Sequence, residues 1–275
     1  AGILRQDGVL VTLSQHPEAN AVIGEVAMAK NVRGVDAARC LPPRELETGN
    51  SKQQTGLGEG LASPLARNCY DLSIDGAVLH IDSPLAGQHQ QRNVALAVAA
   101  AIELRTNHGF NIPNAAIEQG VRTTEWPGRL EWIASRRGHA PLLLDVAHNP
   151  AGAWTLRAAL AQLPDEMPRT LIFSCLADKQ IDEMAQVLLP LFDSASGDPA
   201  RARDHVILAP IQNPRAASVE ELLAAAHKLG VPAHAAPHLP GALAQAEAIT
   251  PREGVIVATG SIFLVGELRA LVLAE

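Results

Sequence analysis

From residue 142 onward the chain alternates short apolar runs with longer amphipathic ones, and nothing else in the sequence restricts the fold as much. The apolar runs at 142–146, 170–173, 205–209, 233–236 and 255–258 read as strands. The segments at 153–163, 181–191, 219–228, 240–248 and 262–273 read as helices. Strands that follow one another through helices must lie parallel. Strands this apolar must also be covered on both faces. In such sheets, ligands gather beyond the carboxyl ends of the strands, so the residues that follow each strand are the candidates for chemistry.

The earlier part of the chain has a different texture. Residues 53–87 are rich in Gly and Ser around a short β-like piece at 77–81. An Ala/Val/Leu run at 93–104 and a second at 115–123 have helical propensity. Trp126-Pro127-Gly128 then breaks the pattern, and a domain junction is expected just after it, at Glu131. Aromatic residues are only 3% of the chain, so both cores must be built from Ala, Leu, Val and Ile. A formal charge of −7 with no basic run argues against a nucleic-acid surface. No stretch approaches the ~20 apolar residues of a membrane span. Cys40, Cys69 and Cys175 form neither a disulfide framework nor a zinc signature, which fits reduced thiols in the cytoplasm. Ala1-Gly2-Ile3-Leu4-Arg5 has neither an initiator Met nor a signal-peptide pattern and reads as a cut inside a longer protein.

Three strand ends are polar in unusual ways. Asp145-Val146-Ala147-His148-Asn149-Pro150 follows the first strand, and the helix after it would offer free N–H groups to an anion. The ordinary use of Asp145 and Asn149 would be to cap the turn and the helix. Thr259-Gly260-Ser261 follows the fifth strand, with hydroxyls, N–H groups and close backbone approach suited to an oxyanion. Asn213-Pro214-Arg215-Ala216-Ala217-Ser218 follows the third, where Ser218 reads as the N-cap of the next helix. Their convergence on one sheet edge implies a site for an anionic small molecule, and the residues alone take the reading no further.

The order of these segments resembles the folylpolyglutamate synthase/dihydrofolate synthase family. Gly87-Gln88-His89-Gln90-Gln91-Arg92-Asn93, Trp126-Pro127-Gly128-Arg129-Leu130-Glu131 and Leu144-Asp145-Val146-Ala147-His148-Asn149-Pro150 look like three successive signatures of that family. Asp178-Lys179, Pro214-Arg215-Ala216-Ala217-Ser218 and Thr259-Gly260-Ser261 continue the series, and Gln15-His16-Pro17-Glu18-Ala19 matches a further piece. The pair formed by Pro127-Gly128-Arg129 and the 145–150 segment is the most specific part.

The resemblance implies a Mur-ligase-like α/β protein. Residues 1–131 would be the trailing part of a P-loop-type central domain, and 132–275 a Rossmann-like C-terminal domain with a mostly parallel sheet. It also implies an ATP- and magnesium-dependent amide ligase, working in the cytoplasm as a monomer. Such an enzyme joins L-glutamate to a folate or dihydropteroate carboxylate through an acyl phosphate. Carried over residue by residue, Asn93 would lie near the adenine and Arg129 on the nucleotide phosphates. Asp145 would sit at the ribose or orient Arg129, and His148 and Ser261 would serve the incoming glutamate or the acyl phosphate. No Gly-x-x-x-x-Gly-Lys-Ser/Thr occurs in the 275 residues, and the Gly-rich stretch at 55–60 has no lysine after it. The magnesium ligands are therefore expected upstream of Ala1, with none in this chain, and the chain alone is expected to be inactive. Two alternatives stand beside this reading: a Mur-type amino-acid ligase of another pathway, and a non-catalytic nucleotide-binding or interaction remnant.

Overall fold

The computed structural model describes residues 2–43 and 63–274, so the Gly-rich stretch at 55–60 lies outside the described residues. The described chain forms two compact units. The first holds residues 2–43 and 67–125, and the second 63–66 and 126–274. The chain passes between them at Ala66–Arg67 and again at Glu125–Trp126. Pro127-Gly128-Arg129 and Glu131 thus belong wholly to the second unit.

In the first unit, β1 (Val9–Thr12), α1 (Pro17–Ala29) and β2 (Arg33–Asp36) make a crossover with two parallel strands. β3 (Asn68–Ile74) and β4 (Ala77–Ser83) form an antiparallel hairpin, followed by α2 (Gln88–Asn107) and α3 (Asn114–Arg122). Val94, Ala95, Val98, Ala99 and Ile102 recur at helical spacing along α2. They pack with Leu72, Ile74, Leu79 and Ile81 of the hairpin and with Ile117 and Val121 of α3.

The second unit is built on six strands. β5 (Glu131–Ile133) and β6 (Leu142–Leu144) are followed by α4 (Pro150–Leu160), β7 (Arg169–Phe173) and α5 (Ile181–Leu188). Next come β8 (His205–Leu208), α6 (Val219–Lys228), β9 (His234–Ala235), α7 (Leu239–Ile249), β10 (Val255–Thr259) and α8 (Ile262–Ala274). The spatial order is β5-β6-β10-β7-β8-β9, all parallel except β5, which runs antiparallel to β6. Leu142, Leu144, Ile172, Ile207, Ile256 and Ala258 pack in one core with Leu239, Ala242 and Leu243 of α7 and Leu264, Val265 and Leu268 of α8. The alternate residues Leu143, Leu171, Phe173, Val206, Leu208 and Val257 are equally buried. They face the opposite way, because successive side chains of a strand alternate. α4, α5 and α6 lie side by side, and α6 packs on β8 and β9.

Several boundaries differ from the sequence reading for identifiable reasons. β6 stops at Leu144, two residues early, because the Asp145 carboxylate turns the chain. α4 begins at Pro150, where Asn149 accepts from Gly152 N–H at 2.8 Å as N-cap. α5 ends at Leu188 and gives way to a 3₁₀ turn over Leu189–Phe192, because Pro190 lacks the donor that would continue an α-helix. Ser218 does cap α6. Its Oγ accepts from Glu221 N–H at 3.2 Å, while Ser218 N–H donates to Glu221 Oε2 at 2.7 Å. Ser218→Ala is expected to cost about 1 kcal/mol, seen as a lower urea midpoint with an unchanged slope.

Candidate functional site

The carboxyl edge of β6 and β10 carries four of the five residues singled out in the sequence. Asp145 follows β6 directly and is 6% exposed. Its Oδ1 accepts from Ala147 N–H at 2.9 Å and its Oδ2 from Leu130 N–H at 3.0 Å. Both the capping role and the tie to the Arg129 segment are therefore present in one side chain. Burial pushes the Asp145 carboxyl above the usual carboxylate range, while the two backbone donors and the nearby Arg129 and His148 oppose that rise.

Arg129 sits in a turn between two residues of positive φ, Gly128 at 72° and Leu130 at 48°. At Gly128 a Cβ would lie 2.8 Å from Val146 Cγ1, so only glycine fits. Val146 N–H donates to Gly128 C=O at 2.8 Å, and the Arg129 guanidinium lies 5.9 Å from the centre of the exposed Trp126 ring.

His148, half-buried, has Nδ1 at 2.9 Å from Val146 C=O. A carbonyl can only accept, so Nδ1 carries the proton, which leaves the lone pair of a neutral ring on Nε2. Ser261 stands just before α8, almost fully buried, with its Oγ accepting from Phe263 N–H at 3.1 Å. Gly260 N–H donates to Ala147 C=O at 3.0 Å, which joins the turn after β10 to the turn after β6. Among the described residues, Thr259 Oγ1 and Ser174 Oγ, at the ends of the adjacent strands β10 and β7, are buried without a hydrogen-bond partner. The Thr259 hydroxyl belongs to the turn read from the sequence as suited to an oxyanion, whereas Ser174 was not singled out there as a site residue.

Asn93 lies in the first unit, exposed on α2, with Nδ2 donating to Gln90 Oε1 at 2.9 Å. Among the described residues no group of three or more His, Cys, Asp or Glu could hold a metal ion. No described helix is long and apolar enough to cross a membrane.

Residues 128–262 match the family described as Mur ligase, glutamate ligase domain, which defines the second unit as a domain of that class. A dihydrofolate synthase/folylpolyglutamate synthase of Mycobacterium tuberculosis is 32% identical over 243 residues, 84% of this chain and 45% of its own length. The chain belongs to the folylpolyglutamate synthase/dihydrofolate synthase family. A folylpolyglutamate synthase of Lacticaseibacillus casei is 37% identical over 121 residues, 44% of this chain and 27% of its own. The structure of the Mycobacterium tuberculosis folylpolyglutamate synthase complexed with ADP superposes with a TM-score of 0.70 at 27% identity. That match covers 96% of this chain and 54% of the other. The chain thus spans less than half the length of these curated relatives and about half of the solved one.

Proposed function

We propose that this chain supplies the glutamate-ligase part of an ATP-dependent enzyme that joins L-glutamate to a folate or dihydropteroate carboxylate, working in the cytoplasm. The observation that carries the reading is the hydrogen bond from Gly260 N–H to Ala147 C=O. It holds His148, Asp145 and Ser261 on one edge of the sheet. A ligase of this kind has to hold an anion and receive an amine in one place, and the donor set suits both tasks. In the acyl-phosphate mechanism, ATP supplies the phosphoryl group that makes the carboxylate oxygen a good leaving group.

Arg129 is the phosphate contact, since a guanidinium on a rigid turn loses little freedom on binding an anion. Asp145 fixes that turn through Leu130 N–H. His148, whose Nδ1–H is held by Val146 C=O, offers Nε2 as the acceptor for the glutamate amine. Ser261 keeps a hydroxyl hydrogen to donate at the positive end of α8. Asn93, with an amide that both donates and accepts, is the proposed adenine contact.

The test is ADP formation by the intact gene product with ATP, magnesium, dihydropteroate or folate, and glutamate. Turnover that requires both a pteroate-type acid and glutamate supports the reading. Turnover with another acid and amino acid points to a different Mur-type ligase, and absence of turnover to a non-catalytic protein. The 275-residue polypeptide by itself is expected to give no ADP above background in the same assay. It contains no P-loop lysine motif. A helix N-terminus contributes about 0.3–1 kcal/mol to an exposed anion, which cannot replace the P-loop amides, its lysine and the metal.

A further inference from the structure

We infer that Glu131 is a positioning residue that sets Arg129 by tying its turn to the last helix, a role that rests on the reading of Arg129 as a phosphate contact. Glu131 Oε2 accepts from Gly128 N–H at 2.7 Å. The same carboxylate receives Arg269 Nε of α8 at 2.9 Å on Oε1 and 3.0 Å on Oε2. A Glu–Arg pair that ended in solvent would contribute little. This one ends on the backbone of the turn it braces, and Glu131 is only 20% exposed.

The turn is thereby gripped at successive backbone groups. Gly128 N–H goes to Glu131, Gly128 C=O to Val146 N–H, and Leu130 N–H to Asp145. Arg129 lies between the grips, and the positive φ at Gly128 and Leu130 has to be held by its surroundings. Glu131 belongs to β5 and Asp145 and Val146 follow β6, while α8 reaches the turn through Arg269 on Glu131. α8 is also the helix that Ser261 precedes, and its Val265 Cγ1 would sit 3.0 Å from a Cβ at Gly128. Glu131 therefore locks the phosphate-contact turn to the element that follows the Thr259-Gly260-Ser261 turn. Its effect reaches the reaction through Arg129 alone.

The experiment is a double-mutant cycle on ADP formation by the intact gene product, with hydrogen exchange on the 275-residue chain beside it. Glu131→Ala is expected to lower kcat roughly ten- to hundred-fold, the scale of a small misplacement of a catalytic group. Glu131→Gln, which keeps an oxygen for Gly128 N–H, should recover most of the rate. Arg129→Ala with Glu131→Ala should be no slower than Arg129→Ala alone. In the 275-residue chain, Glu131→Ala should speed exchange at the Gly128 amide at least about ten-fold. Losses that multiply in the double variant, or unchanged Gly128 exchange, overturn the inference. Normal turnover of Arg129→Ala would show that the phosphate reading itself has failed. Normal turnover of Glu131→Ala beside a crippled Arg129→Ala removes the inference and leaves that reading standing.

Discussion

Gly260→Ala is expected to destabilise the second unit by about 2–5 kcal/mol, the sum of a left-handed backbone penalty and overpacking. Gly260 has φ 106°, and a Cβ there would lie 2.2 Å from Ser174 C=O and 2.7 Å from the Phe173 ring. Ser174 C=O is backbone at the end of a central strand, so it cannot swing aside as a side-chain tip could. Relief must come from moving the turn, which would also stretch the Gly260 N–H to Ala147 C=O bond. Gly266→Ala is the control. It lies in α8 with nothing within 4 Å of its Cβ position, and the better helix former should leave stability unchanged or raise it by up to about 1 kcal/mol. Thermal and urea melts of the two variants decide the matter, and equal midpoints would show that the turn yields without cost.

Arg129→Ala and Asp145→Ala are expected to differ, although the family resemblance implies a role beside a nucleotide for both. Arg129 is half-buried, and its stacking on exposed Trp126 is worth only about 0.5–1 kcal/mol. Its removal should leave the melting temperature nearly unchanged while lowering kcat/KM of the intact gene product by roughly 10²-fold or more. Asp145→Ala strands two N–H groups in a buried turn, at about 1–3 kcal/mol each. It should therefore lose stability and activity together. A melting temperature unmoved by Asp145→Ala would mean that the carboxylate's backbone bonds are replaced by water. Near-normal kinetics for Arg129→Ala would remove the phosphate contact.

What could be read from the sequence, and what could not, follows from the range of the interactions. The parallel class of the second unit was legible because each strand carries its own apolar run and each helix its own stripe. The 255–258 run was recognisable as a strand, but no local pattern says that it enters the sheet between β6 and β7. The antiparallel β5 is three residues long and too short to show a period. In the first unit β1 and β2 have four residues each, and their pairing joins runs separated by a whole helix. At the site, Asp145 stood out as a polar residue ending an apolar run, and its capping use was foreseeable. Glu131 was visible inside the Trp126-Pro127-Gly128-Arg129-Leu130-Glu131 segment. Its partner Arg269 carries no local signal, because the contact spans 138 positions of sequence.

The place of β10 in the sheet bears on how the polypeptide is made. A ribosome delivers β6, β7 and β8 well before residues 255–259, yet β6 and β7 do not pair with each other in the finished sheet. At about 5–20 residues per second, the stretch from Leu144 to Val255 takes on the order of ten seconds to synthesise. The facing edge of β6 has no partner strand through that interval, nor does that of β7 once residues 169–173 are made, and such edges are templates for association with other chains. Association with other chains is therefore expected to be most frequent in that interval, and ending the polypeptide before Val255 is expected to leave β6 and β7 unjoined instead of giving a slightly shortened domain.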